Sequence, residues 1–366
     1  MSDLAFIKEH GSPRIRFDSA PVYNILFSMC LLFQDHLDHI SPWVDSTVAK
    51  LTPEEREEAH IACDAVQYVS IAGGRTIEEF IAGLEKIAPE RFLTIDVSRL
   101  RKQAVQRLGA DGIPDEATLA SDKDAYLGIV ERMYERHHDK EFDAEKYGKY
   151  WDRLHDGKSY RDELVASVKS FWEKHLKDEW AHVEPAIADS VRAFQSVEIL
   201  GDDLEEKIKF ITQRDNIPEV WVDMLSRADE VIYVPSVHIG PYMTMFDFDP
   251  RHLVVVGRAR IPEGANVKSP TLDRSDILIR LEAMSDATRL RILEMASERG
   301  EITSQDVMDE LELSQSSASR HLTQLTATGL LTVDGSERTR RYQLNARRID
   351  DVCTGLQSLF GAAVRT

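Results

Sequence analysis

The residues with the most legible chemistry lie near the C-terminal end. There Ser314-Gln315-Ser316-Ser317-Ala318-Ser319-Arg320-His321-Leu322-Thr323 sets hydroxyls, one amide and one guanidinium along a single helical stretch. Arg320 offers the paired donors that match guanine, Gln315 the donor and acceptor that match adenine, and small serines let a helix come close to its partner. Ala318, Leu322 and Leu325 recur at i, i+4 and i+7 and predict a buried stripe. Rotation by about 100° per residue then places Ser316, Arg320, Thr323 and Ala327 opposite it, with Ser319 flanking and Gln315 at the helix start. Downstream, Arg338, Arg340 and Arg341 surround the turn Asp334-Gly335-Ser336 and have the reach for phosphates or a minor groove. Ser317, and Ser304 on the preceding helix, complete the expected DNA-contacting set. This chemistry is recognition: phosphate contacts fix register, and Gln315 and Arg320 read bases.

Other reactive residue types are present in weaker patterns. Asp35-His36-Leu37-Asp38-His39, and His175 with Asp178, Glu179 and His182, put ligand-type side chains at helical spacings. Neither forms His-Glu-x-x-His, and a polar helix face accounts for each. His137-His138-Asp139 precedes a charged loop. Trp151, Trp172, Trp180 and Trp221 are core residues by default, although an aromatic-lined ligand pocket would draw on such side chains. Ser236-Val237-His238-Ile239-Gly240-Pro241-Tyr242 joins two strands and forms a turn or the rim of that pocket. Cys30, Cys63 and Cys353 are far apart and odd in number, which predicts reduced thiols rather than a disulfide framework or a Cys-x-x-Cys site. No dinucleotide fingerprint, Walker loop, Gly-x-Ser-x-Gly elbow or paired catalytic carboxylate motif occurs. The expectation is therefore a non-enzyme with no cofactor, no metal site and no assigned effector site.

The elements that must position these residues follow from caps and periodicity. Asp286 can cap a helix bearing Leu290, Ile292, Leu293 and Ala296, Thr303 one bearing Val307 and Leu311, and Ser314 the recognition helix. Gly329 to Leu344 predicts a two-stranded wing, with Tyr342 and Leu344 in the core. His321, beside the buried stripe, is expected to pack or to hydrogen-bond on the helix surface, and Arg289 and Arg291 to lie on solvated or dimer-facing surfaces. Upstream the chain predicts a helical domain: Thr52-Pro53-Glu54-Glu55 and Thr76-Ile77-Glu78-Glu79 read as capping boxes, and Ser19-Ala20-Pro21 opens a helix. Runs at 231–235, 242–246 and 253–257 predict a small antiparallel β-meander at about 229–260. The expected fold is mainly α: a helical sensor or dimerisation domain over 1–262, a linker over 263–276 and a winged helix-turn-helix over 277–366.

The chain of 366 residues, 42% hydrophobic, has material for sizeable cores. Its net charge of −19 suits a DNA binder only because of where the charge lies. From Ser314 to Arg348, six arginines face Asp334 and Glu337, a local excess of +4, so the acidic remainder would repel DNA and favour one docking orientation. The N-terminal residues lack the pattern of a signal peptide and no run is long enough to span a membrane, so a cytoplasmic protein is expected.

Residues 277–345 resemble the ArsR/SmtB family of bacterial winged helix-turn-helix repressors. The resemblance is carried by Asp286-Ala287-Thr288-Arg289-Leu290-Arg291-Ile292-Leu293, by Leu313-Ser314-Gln315-Ser316 with Ser319-Arg320-His321-Leu322 and Leu325, by Gly329-Leu330, and by the wing ending Tyr342-Gln343-Leu344-Asn345. Ala287 stands where the family has proline. The resemblance implies a dimer joined by helices near 277–284 and 349–363, binding a pseudo-palindromic operator on double-stranded DNA, and release when an effector binds. The family's Cys-x-Cys metal box has no counterpart in Glu301-Ile302-Thr303-Ser304-Gln305-Asp306-Val307, nor its second metal site in a last helix with Asp350, Asp351 and Cys353 but no histidine. The long N-terminal domain is then the natural sensor of a small-molecule effector in a one-component transcription regulator, by family habit a repressor. The competing expectation is a metabolite-binding protein or enzyme whose winged domain serves dimerisation or protein contact, with a metal sensor built on the histidine-rich helices as a third.

Overall fold

The computed structural model describes residues 13–32, 40–135, 142–199, 203–213, 217, 219–249, 252–267, 269–334 and 340–360. Asp35 to His39 and His137-His138-Asp139 lie outside them. The described chain is mainly helical. It opens with β1 (Arg14–Phe17), α1 (Pro21–Leu31) and α2 (Pro42–Val48). A helical stretch follows: α3 (Pro53–Asp64), α4 (Val69–Ala72), α5 (Ile77–Leu84), α6 (Arg91–Leu108), α7 (Glu116–Ser121), α8 (Lys123–Glu135), α9 (Ala144–His155) and α10 (Gly157–Phe171). Then come α11 (Lys177–Gln195), α12 (Leu204–Thr212), α13 (Glu219–Arg227), β2 (Glu230–Ser236), β3 (Thr244–Asp249) and β4 (His252–Arg258). The C-terminal part holds α14 (Pro270–Ser285), α15 (Ala287–Arg299), α16 (Ser304–Leu311), α17 (Gln315–Ala327), β5 (Leu331–Asp334), β6 (Arg341–Leu344) and α18 (Ala346–Phe360). Two compact units result, residues 1–52 with 175–366, and residues 53–174. No described helix is long and apolar enough to cross a membrane.

The expected meander is corrected to a mixed, mostly parallel sheet of order β1-β2-β4-β3. Strand β1 pairs parallel with β2, β2 parallel with β4, and only β3 runs antiparallel to β4. The physical reason is visible in burial. Val231, Tyr233 and Val234 on β2, and Leu253 to Val256 on β4, are buried without alternation, as in parallel strands covered on both faces. An antiparallel meander with one wet face would alternate. Phe17 of β1 stacks on Phe194 of α11 at 5.0 Å and meets Tyr233 edge-on, filling one face.

The loop after β2 is a fixed structural joint. Gly240 has φ +61°, and a Cβ there would stand 2.1 Å from the Ile40 carbonyl oxygen, so only glycine fits. His238 is buried, with Nδ1 2.8 Å from Ser28 Oγ and Nε2 2.9 Å from Glu179 Oε1, under the ring of Trp43. Glu179 thus meets His238 of a distant loop, and this buried chain ties α1 and α11 to the end of β2. Of the cysteines, Cys353 is free and exposed.

Unit 53–174 is built around Asp96 of α6. Its carboxylate accepts from Tyr126 (2.9 Å), Tyr150 (3.0 Å) and Arg99 (3.2 Å), and Gln67 donates to the Tyr150 hydroxyl. Tyr68, Phe92 and Tyr160 stack edge to face beside them. The Thr76 to Glu79 capping box forms as expected. Burial, and then the charge of Asp96, push the Asp64 carboxyl up to about 7. A carboxyl raised in the folded state stabilises the fold below its ordinary value near 3.8, and that contribution disappears as pH rises through 7. Asp64→Asn is therefore expected to gain stability over the parent by about 2–3 kcal/mol between pH 5 and pH 8. Denaturant melts at both pH values check this; a pH-independent difference would remove Asp64 as the cause.

Candidate nucleic-acid interface

The C-terminal helices start where their caps dictate. Asp286 accepts from the Arg289 amide at 2.8 Å, Ser314 from the Ser317 amide at 3.2 Å, and Thr303 with Asp306 forms a reciprocal capping box. Ile292, Leu293, Ala296, Val307, Ala318, Leu322 and Leu325 are buried in one core with Tyr342, and Leu311 and Leu344 pack on it. Leu290, on the same helix as Ile292, Leu293 and Ala296, is 46% exposed. The buried face of α15 runs through Arg289, Ile292, Leu293 and Ala296, and Leu290 lies off it.

Arg289 is a second correction. Far from being a surface residue, it is 3% exposed. Its Nε donates to Ala283 O (2.7 Å), Nη2 to Glu282 O (3.0 Å) and Nη1 to Gln324 Oε1 (2.8 Å). One guanidinium therefore closes the carbonyl end of α14 and fixes buried Gln324 of α17. Arg291 does lie at the surface, paired with Glu294, Glu298 and Glu310. His321 is half-buried with Nδ1 4.0 Å from Asp286 Oδ1. Burial pushes the Asp286 carboxyl up, but the amide of Arg289 and the charges of Arg289 and His321 outweigh it and hold the group below its ordinary value.

With this scaffold set, the polar side of α17 is open. Gln315, Ser316, Ser319, Arg320 and Thr323 are exposed, Ser317 is half-buried behind the cap, and Ser304 at the start of α16 is half-buried. Strands β5 and β6 pair antiparallel from Leu331 opposite Leu344 to Asp334 opposite Arg341. Ile302 and Tyr342 exchange backbone hydrogen bonds of 2.8 and 2.9 Å that anchor the wing to the α15–α16 connection. Arg340 and Arg341 are exposed at the end of this ladder away from Leu331 and Leu344, Arg341 in an ion pair with Glu301. Arg338 lies outside the described residues. The arrangement offers an exposed polar helix face beside an arginine-bearing hairpin, the layout of a groove-docking module.

A family model described as a helix-turn-helix domain matches residues 284–334. The arsenical resistance operon repressor of Staphylococcus aureus is 33% identical over 76 residues, covering 21% of this chain and 72% of that protein. The chain belongs to the ArsR family. Its ArsR part is the C-terminal region, a helix-turn-helix DNA-binding domain, while the N-terminal region remains unassigned. No solved structure gives a significant match. Among the described residues of this ArsR protein, no group of three or more histidines, cysteines and carboxylates is arranged to hold a metal ion.

Because Arg340 projects from the wing rather than from α17, its contribution should be insensitive to sequence. Arg340→Ala is expected to weaken specific and random duplexes alike and to lower the slope of log affinity against log salt by about 1. Fluorescence titrations at several salt concentrations check this; a loss confined to one sequence would assign Arg340 to base reading.

Proposed function

We propose that this ArsR protein is a bacterial one-component transcription regulator, acting as a cytoplasmic repressor. Two copies joined through α14 and α18 would present their α17 helices to successive major grooves of a pseudo-palindromic operator, about 34 Å apart. The carrying observation is the two-sided α17: Ala318, Leu322 and Leu325 are buried, while Gln315, Ser316, Ser319, Arg320 and Thr323 are exposed. Support for the dimer comes from α14 and α18, which pack so closely that a Cβ on Gly355 would stand 2.7 Å from Ile277 Cδ1, and from Leu278, a leucine of α14 left 48% exposed. The staphylococcal relative is an operon repressor, which favours repression. The arsenical chemistry in its name does not carry over, since segment 301–307 has no thiol.

The N-terminal region, in this proposal, senses an effector by binding and not by catalysis. Its most enzyme-like constellation, Ser28 with His238 and Glu179, has Ser28 2% and His238 3% exposed, and Ser28 Oγ also lies 2.7 Å from the Asn24 carbonyl oxygen. A nucleophile so enclosed has no route to substrate, so the constellation suits a structural clamp. The deciding experiment is binding of full-length protein to the DNA upstream of its own gene against random duplex, with the stoichiometry measured by sedimentation. Preferential binding of two chains per site is expected. Equal affinity for both DNAs would instead favour a metabolite-binding protein or enzyme using the winged domain for contact.

A further inference from the structure

Arginines gather where β4 gives way to α14 in greater number than the carboxylates that meet them. Arg258 ends β4 with its side chain 15% exposed, Arg260 follows at 5%, Arg280 of α14 is 3% exposed, and Arg348 at the start of α18 has a side chain 22% exposed. Asp276 of α14 forms ion pairs with both Arg258 and Arg280. Arg348 pairs at the surface with Asp351. Among the described residues no carboxylate pairs with Arg260: its Nε and Nη2 donate to the Ile211 carbonyl at 3.2 and 2.9 Å and Nη2 to the Phe210 carbonyl at 2.5 Å, at the C-terminal end of α12, and its guanidinium lies over the Phe194 ring. The helix end supplies only partial negative charge. Among the described residues Asp276 is thus the one carboxylate paired with these three deeply set guanidinia, and it meets only two of them, a balance that burial makes expensive; burial, with the charges of Arg258 and Arg348, pulls Arg260 down to about 10.

A cleft opens among these groups, lined by Gln213, Arg258, Arg280, Thr328, Gly329 and Arg348. The Gln213 side chain accepts from Arg258 at 3.2 Å, Arg280 Nε reaches the Thr328 carbonyl at 3.4 Å, and Arg348 lies against Gly329. Its enclosed space is about 10 Å³, enough for one water-sized group. A larger anion would need the place that the Asp276 carboxylate holds. The Asp276 side chain is 31% exposed as a whole with Oδ1 buried, so giving up that place would require its carboxylate to turn outward.

We propose that this cleft is an oxyanion site, in which Arg258, Arg280 and Arg348 take the phosphate group of a small effector in competition with Asp276. Three guanidinia from three separate elements suit a tetrahedral dianion better than a flat carboxylate. Occupancy would break the Asp276 bridge between β4 and α14 and draw on Arg280, which holds the end of α17 at Thr328. The step from occupancy to DNA release rests on the regulator proposal; the binding step does not.

Calorimetric titration of the full-length protein with inorganic phosphate, and in a second arm with glycerol phosphate, at constant ionic strength set with chloride, tests the binding step. One saturable site per chain is expected, with affinity lowered at least tenfold by Arg348→Ala and raised by Asp276→Asn, which removes the internal competitor. The Asp276→Asn gain is the decisive sign, since simple loss of structure would weaken binding, and phosphate should raise the melting temperature of that variant more than the parent's. Tighter binding of glycerol phosphate would identify a phosphorylated metabolite, and equal or weaker binding free phosphate. No saturable heat beyond chloride, or an Asp276→Asn variant that binds phosphate no better, overturns the proposal. Phosphate binding without any change in DNA affinity would keep the site and sink its coupling to regulation, whereas sequence-specific DNA binding without phosphate binding would keep the regulator reading and sink the site.

Discussion

Arg320→Ala is expected to cut affinity for the operator by roughly 5- to 150-fold, about 1–3 kcal/mol, while affinity for random duplex changes far less. Arg320 stands on the exposed side of α17, two residues past buried Ala318 and two before buried Leu322, so its removal leaves the core packing untouched. On the proposed reading a bidentate guanidinium contact with a guanine edge would be lost with no compensating bond, and the penalty would appear only where that guanine is present. Arg320→Lys sharpens the test: it keeps the charge but loses the planar fork, so specificity should fall nearly as far as in the alanine variant. Competition titrations of operator against random DNA measure the ratio. Equal losses on both DNAs would reassign Arg320 to phosphate contact.

Arg289→Ala acts on the scaffold behind that face. Its guanidinium makes three hydrogen bonds in a nearly dry site, to Glu282 O, Ala283 O and Gln324 Oε1, and alanine would leave those acceptors buried without donors. The expected cost is about 2–4 kcal/mol, which for a unit of this size lowers the melting temperature on the order of 10 °C. Lysine should not restore it, because a single ammonium cannot span three acceptors set for a planar fork. Calorimetry on the full chain, with hydrogen exchange along α17, checks both parts. Weakened DNA binding with unchanged melting would mean that Arg289 touches DNA instead.

These two arginines mark how far the primary structure could be read. Arg320 was legible because the α17 stripe has a helical period and its cap lies at Ser314, both decided within about a dozen residues. The same local logic located the capping box at Thr76, the cap at Thr303 and the wing ending at Tyr342. Arg289 was not legible, since its place depends on the carbonyl end of α14 and on Gln324, 35 residues away along the chain. The apolar run of β2 looked the same whether its neighbour was parallel or antiparallel, and β1, its partner on one side, lies more than two hundred positions earlier.

The amino-acid sequence by itself determined a helix-turn-helix with a wing, its exposed polar face and its family, because caps, periodicity and turns operate over one or two turns of chain. Only the tertiary structure decided the parallel sheet, the burial of Arg289 and the joining of Arg258, Asp276 and Arg280 into one cleft. Those outcomes depend on which distant groups share a desolvated space, where a charge or a strand edge must find a partner that no local pattern specifies.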